Sequence, residues 1–388
     1  MTQMAPYWYW RQLKSGWTLD ESSTNRFDLP ERGALSGLMV NLYGTHARKN
    51  VNYAEIWPVQ QTTPRIVANG NFEIMNLRGR QLHAMNWWDY GALPAEGLFE
   101  PTGWINQQTL IFPFGRYLGD PDFGIWLEKF AAGVQMEETN TISTSDYTDA
   151  TSKWDVFGLF RKNPEANLFS KGFFRKRRIS NKTCASESQY PFKLPTEAKL
   201  KQIYVFTEPT NTSNDPSTTP YTNINKLWLS IKSKDEFLID GLSASYFARM
   251  IHALYGRKAH TLITAVGGTS PGHFVDTMIY ERESSQMTPV YSAEGYATEY
   301  DDNNLERTCN VTTFNNAGTG TERVVYLDSI GISLHGVIPL LLIDPDKNDE
   351  QDYLDAKANA DVYVEATEGA STGTWQIVLD ELEKAYPS

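Results

Sequence analysis

In this chain of 388 residues, only a few stretches bring together residue types suited to chemistry. The run Asp344-Pro-Asp346-Lys-Asn348-Asp349-Glu350 sets oxygens at alternate positions, as a calcium loop does. It departs from the EF-hand pattern: Asp349 stands where glycine makes the sharp turn, and Asp355 replaces the bidentate glutamate. A solvated turn is the better reading, and Asp344, Asp346 and Asn348 stay a weak calcium candidate. Glu137-Glu138 has the residue types of a glycosidase acid and base, but adjacent strand residues point to opposite faces and could not flank one bond. The loop Gly267-Gly-Thr-Ser-Pro-Gly272 lacks the lysine and helix of a phosphate cradle. The six histidines are too scattered for a ligand set, and no GxxxxGK[ST], HExxH, CxxC pair or G-x-S-x-G elbow is present. The sequence therefore points to no enzyme and no cofactor.

Two segments suit contact rather than catalysis. Tyr7-Trp8-Tyr9-Trp10-Arg11, followed by Lys14 and Trp17, mixes amphipathic rings with cations, as membrane-interface segments do. An arm packing on a neighbouring subunit explains it equally well. Lys171-Gly-Phe-Phe-Arg175-Lys176-Arg177-Arg178, with Arg161 and Lys162 upstream, is the strongest basic cluster. It reads as a solvated linker or a salt-bridge site between subunits, or more sharply as a contact for lipid headgroups or nucleic acid. Trp87-Trp88 and Trp104 are rings that could stack on sugars, although an aromatic core is the commoner use of such residues.

The elements that position these residues follow an internal repeat. Phe27-Asp-Leu29-Pro30, then Leu35, Leu38 and Val40, recur as Phe192-Lys-Leu194-Pro195, then Leu200, Ile203 and Val205, each displaced by 165 residues. The register runs on through Ile66 and Ile231, Phe72 and Phe237, and Leu77 and Leu242, to Tyr90-Gly91 and Tyr255-Gly256. A later block, Val134-Gln-Met136-Glu-Glu-Thr139, recurs as Val362-Tyr-Val364-Glu-Ala-Thr367 at the larger displacement of 228. The second copy therefore carries an insertion, about Arg257 to Asp328, polar and loop-like in composition.

Short alternating or β-branched runs predict strands at 35–42, 66–77, 109–114, 200–207, 227–231, 236–239, 324–326, 336–343, 361–367 and 374–379. Apolar spacing predicts one helix over 243–256, stopped by glycine, and a weaker counterpart over about 79–90. Each half is thus many short strands with one helix, which fits an eight-stranded sandwich or jelly roll. The fold class expected is all-β, two tandem eight-stranded jelly rolls with short helices. An N-terminal arm would occupy 1–25, the first barrel 26–185 and the second 186–388.

Composition agrees. Forty per cent hydrophobic residues, with 11 Trp, 20 Tyr and 18 Phe, supply two cores and adhesive flanks. A net charge of −12 argues against a nucleic-acid coat, so nucleic acid contact is at most indirect. No secretory signal is visible and no apolar run is long enough to span a bilayer. Cys184 and Cys309 imply no disulfide framework, although one bridge between them stays open, and the sequons at Asn181, Asn211 and Asn310 carry no weight.

With the paired Phe-x-Leu-Pro motifs, the unit Phe237-Leu-Ile-Asp-Gly-Leu-Ser-Ala-Ser-Tyr246 and its first-half partner, and an insertion confined to one loop of one barrel, the chain resembles the double jelly-roll major capsid proteins of the tectivirus–adenovirus lineage. The resemblance spans nearly the whole chain, through loose motifs. It implies a structural viral major capsid protein located in the virion and assembled in the host cytoplasm. It further implies pseudo-hexagonal homotrimers tiling an icosahedral shell, with the insertion as an outward tower. The partners implied are other copies, neighbouring capsomers, minor capsid or penton proteins and, in membrane-containing members, an internal membrane. Trp8, Trp10, Arg11, Lys14, Arg175, Lys176, Arg177 and Arg178 would face that membrane or the lumen. The rival readings are a tandem β-sandwich acting on glycans, and a minor capsid or spike protein.

Overall fold

A computed structural model describes residues 5–18, 24–45, 62–92, 96–99, 105–140, 152–185, 188–195, 197–209, 223–256, 259–267, 279–280, 288–291, 297–300, 308–315, 323–331, 333–341, 343–346, 348–359, 361–369 and 373–387. The first barrel has eight main strands: β1 Tyr7–Thr18, β2 Thr24–Asp28, β3 Ala34–Thr45, β4 Thr62–Ala68, β5 Phe72–Asn76, β6 Ile105–Pro113, β7 Val134–Asn140 and β8 Lys153–Lys162. Helix α1, Gly79–Tyr90, follows β5. The second barrel repeats the set: β9 Phe173–Thr183, β10 Gln189–Lys193, β11 Lys199–Pro209, β12 Ile224–Ile231, β13 Glu236–Ser243, helix α2 Ala244–Tyr255, β14 Val337–Pro339, β15 Tyr363–Glu368 and β16 Gly373–Glu383.

The pairings make each half a jelly roll. One sheet of the first barrel runs β1-β8-β3-β6 and the other β2-β7-β4-β5. The second barrel runs β9-β16-β11-β14 and β10-β15-β12-β13, the same order strand for strand. The bulge after Leu35 in β3 recurs after Leu200 in β11, at the same displacement of 165. Both helices are twelve residues long and end on a left-handed glycine, Gly91 at φ 71° and Gly256 at φ 64°. Trp154 on β8 and Trp375 on β16 are fully buried counterparts. Trp154 takes Trp17 edge-on at 5.9 Å, and Trp375 takes Tyr190 at 6.1 Å. One apolar core runs through both barrels.

Several expectations shift. The run 66–77 is a hairpin, because Asn69 and Gly70, at φ 50° and 77°, form the tight turn that an Asn-Gly pair favours. The run 336–343 keeps strand pairing only over Val337–Pro339, where proline removes a ladder donor. Residues 7–18 are no free arm: β1 pairs antiparallel with β8 from Tyr7 to Thr18 and brings Trp17 into the core. The barrel boundary lies before β9 rather than at 185, since β9 pairs with β16 along its length as β1 pairs with β8. Segment 257–328 is not merely loop: Ala259–Gly267 pairs with Arg323–Gly331, which pairs with Thr308–Asn315. Ala259–Gly267 also joins Glu96–Phe99 in parallel, extending the first barrel's sheet.

Candidate functional site

The barrels meet along one continuous sheet. β5, an edge of the first barrel, pairs in parallel with β9, an edge of the second, with Lys176 opposite Met75 and Arg177 opposite Asn76. Helix α1 lies over this seam. Its pattern was weak because it buries every residue from Gly79 to Trp88, so no solvent face exists to create contrast.

Four charges close the seam. Lys176 on β9 donates from Nζ to Asp380 on β16 at 2.6 Å and lies 3.4 Å from Asp89 on α1. Lys201 on β11 donates to Asp89 at 3.0 Å and stands 3.2 Å from Asp380. All four side chains are at most 4% exposed. Burial would raise the Asp89 carboxyl, but Lys201 and Lys176 outweigh it and hold it below the usual carboxylate range. Burial would lower the Lys201 ammonium, yet Asp380 and Asp89 raise it well above its ordinary value. Two cations alternating with two anions leave no uncompensated buried charge, the arrangement such burial requires.

Around this cluster Arg177 donates two hydrogen bonds to Glu381, at 2.6 and 3.0 Å. Arg175 donates to the Glu73 carbonyl at 2.6 Å and lies 4.5 Å over the Phe72 ring. Gln81 on α1 donates to Gln376 on β16. His83 on α1 stands 2.9 Å from His335, which precedes β14. Burial, then His83 and Arg80, push the His335 imidazolium well below its ordinary pKa. Lys176 is therefore not a lumen- or membrane-facing residue, and Arg175 and Arg177 are spent on the seam. Arg178 is partly buried on the same strand. The cations are drawn inward because acidic partners from both barrels meet them there.

The N-terminal residues divide. Trp8 is half-buried against Phe169, with the Arg161 guanidinium 5.1 Å over its ring. Trp10, Arg11 and Lys14 are exposed along β1, which is the outer edge of its sheet.

The remaining candidates resolve into structure. Asp344 accepts from the Asp346 amide at 3.0 Å, and the Asn348 side-chain oxygen accepts from the Tyr353 hydroxyl at 2.7 Å. These oxygens tie down a turn, and among the described residues no group of three or more acids, histidines or cysteines is arranged to hold a metal. Trp87 and Trp88 are 1% and 3% exposed, so they stack in the core rather than on sugars. Trp104 lies outside the described residues. Glu137 pairs with Arg65 and Arg26, whereas Glu138 points inward and is fully buried. Burial pushes the Glu138 carboxyl well up, opposed only by the Thr63 amide. Cys184 is free, and burial followed by Glu368 pushes its thiol up to about 11, away from the thiolate form.

Sequence reasoning missed Asp89, Lys201, Asp380, Gln81, His83 and His335. A signal existed for the first three. Lys201 sits in Leu200-Lys-Gln-Ile203, Asp380 in Val378-Leu-Asp-Glu-Leu382, and Asp89 directly after Trp87-Trp88. A charge directly after a core-forming apolar residue needs a partner if it turns inward. Which charge pairs with which is set by the seam, and the sequence does not display the seam.

Two eight-stranded jelly rolls of identical strand order, joined edge to edge in one chain, define a double jelly roll. Solved structures agree over almost the whole chain. The major capsid protein of STIV superposes with a TM-score of 0.56 at 10% identity, covering 97% of each chain. The major capsid protein P2 of bacteriophage PM2 does so at 0.51 and 9%, covering 97% of this chain and 98% of that one. The PBCV-1 virus capsid does so at 0.51 and 9%, covering 99% and 97%. The chain has the double jelly-roll fold of these major capsid proteins. No protein-family model and no curated protein matches it.

Proposed function

We propose that this protein is a structural subunit of an icosahedral viral capsid, self-assembling through its barrel flanks and without catalytic activity. The observation that carries this is the duplication itself: two barrels of the same strand order, fixed side by side by a buried ionic seam, present two near-equivalent building blocks per chain. Three such chains close a ring of six barrels, which packs like a hexagon though each chain occurs three times. The fold shared with solved major capsid proteins supports this reading over a minor or spike component. In the shell the partners are other copies, neighbouring capsomers and penton-type proteins at the vertices. The insertion between α2 and β14 would stand as a tower on the outer surface. With the seam absorbing Arg175, Lys176 and Arg177, no strongly basic face is left for lipid headgroups or packaged nucleic acid among these residues.

Negative-stain imaging of the purified protein tests the proposal. Compact particles of pseudo-hexagonal outline support it; single double-barrel particles at every concentration contradict it.

A further inference from the structure

The seam inside the chain is one half of a pattern whose other half lies open. β5 is an edge paired with β9; among the described residues its counterpart β13 is an edge paired only with β12, and β1, the counterpart of β9, is likewise an outer edge. Exposed aromatic and apolar side chains gather there. Of the eight large exposed hydrophobic residues among those described, Tyr7 and Trp10 lie on β1, Phe237 and Leu238 on β13, and Tyr246 and Leu254 on α2. Unpaired edges of this kind invite another chain.

We propose that β13 and α2 of one copy dock on β1 and β8 of the next copy, reproducing between chains the contact that β5 and α1 make with β9 and β16 within the chain. This rests on the self-assembling reading above and names the surface and its register.

Ladder positions fix which residues correspond. Gly158 pairs with Arg11 and Leu38, and Leu379 pairs with Arg177 and Ile203, so Arg11 stands where Arg177 stands. Trp10, one position before, stands where Lys176 does, and Leu159 where Asp380 does. Ile239 stands opposite Leu229 as Met75 stands opposite Ile66, and the bulge between Ile239 and Leu242 puts Asp240 and Gly241 where Asn76 stands alone. The helices match end to end, which puts Leu254 in the place of Asp89 and Tyr246 in that of Gln81.

Three contacts follow. Asp89 against Lys176 becomes Leu254 against Trp10, two side chains that are 57% and 47% exposed in the single chain. Arg177 opposite Asn76 becomes Arg11 facing the bulge of Asp240 and Gly241, which sets an exposed carboxylate near its guanidinium. Gln81 donating to Gln376 becomes the Tyr246 hydroxyl, 64% exposed, donating to Asp155, which pairs with Asn41 as Gln376 pairs with Phe206. The lock is ionic within the chain and mainly apolar between chains. That division is physically apt: a buried ion cluster sealed at folding is never re-exposed, whereas surfaces that meet after folding avoid dehydrating four charges. Because the two docking surfaces differ, the contact is head-to-tail and propagates instead of stopping at a pair, closing into a ring where the rotation between copies closes.

The test is cross-linking with a short bifunctional maleimide. Trp10→Cys and Leu254→Cys are made as separate variants and coexpressed, with the parent chain and its native cysteines as background. The proposal expects chain-to-chain links in the mixture and none above background for either variant alone. A link formed by one variant alone, or none in the mixture, overturns it. A second measurement uses Leu254→Asp, which leaves the core untouched and should raise the concentration for half-dissociation by about tenfold or more. Adding Trp10→Lys should restore assembly by rebuilding the Asp89–Lys176 pair between copies. If the wild type assembles and neither result appears, this surface is wrong while the capsid reading stands; if the wild type never assembles, that reading fails first.

Discussion

Lys176, fully buried between Asp380 and Asp89, is where the two barrels depend most on single atoms. Lys176→Met leaves two buried carboxylates to share Lys201, and should cost about 3–5 kcal/mol in urea unfolding at neutral pH. A loss below about 1 kcal/mol would mean the seam is held by packing alone. Two buried titratable groups act in opposite directions with pH. Glu138 has a folded pKa above its unfolded value of about 4.3. Its favourable contribution is full below that value and is lost as pH rises through the folded one. Glu138→Gln should therefore match the wild type in acid and exceed it in melting temperature as pH rises. His335 has a folded pKa below its unfolded value of about 6.5, so its contribution holds above that value and is lost as pH falls. Its environment is set by His83 and by Arg80 on the same helix. His335→Asn, which tolerates the left-handed φ of 52°, should flatten the loss of stability below about pH 6.5 in thermal melts.

At the scale of elements, the start of β9 admits only glycine. Gly172 has φ +105°, and a Cβ there would sit 2.1 Å from the Glu383 carbonyl oxygen. Gly172→Ala should abolish soluble, folded protein, whereas Gly70→Ala, at φ +77° with open space around it, should cost about 1–2 kcal/mol in thermal melting. Equal effects would show that backbone conformation, not the close approach of β9 to β16, sets the requirement. This element also shows what the sequence could display. That both halves carry the same set of strands followed from the repeat, because apolar alternation at Leu38 and Val40 recurs at Ile203 and Val205 and keeps both cores. Strand β9 hid because Arg175, Lys176, Arg177 and Arg178 break the alternation that marks a strand. Their cations are satisfied by partners far along the chain, such as Asp380 and Glu381, and no local pattern reports such a partner. β1 hid for the opposite reason, since its rings Trp8 and Trp10 decorate the outer face while Tyr9 and Trp17 serve the core.

At the scale of the molecule, the duplication sets what assembly requires. Among the described residues, one chain holds one ionic seam and leaves β1 and β13 as open edges, so in the docking proposed above copies would add head to tail. The same repeat that made the fold legible is what would set Leu254 of one copy against Trp10 of the next in that docking. The sequence alone could not show that these two are exposed while Asp89 and Lys176 are not, because burial depends on the docking of α1. The central claim is that the chain is a capsid building block in which three copies close a ring of six barrels. Native mass spectrometry of the purified protein tests it most directly, since each chain contributes 44.0 kDa. The account predicts a dominant species of three chains, while a monomer, or a dimer that does not grow with concentration, would contradict it.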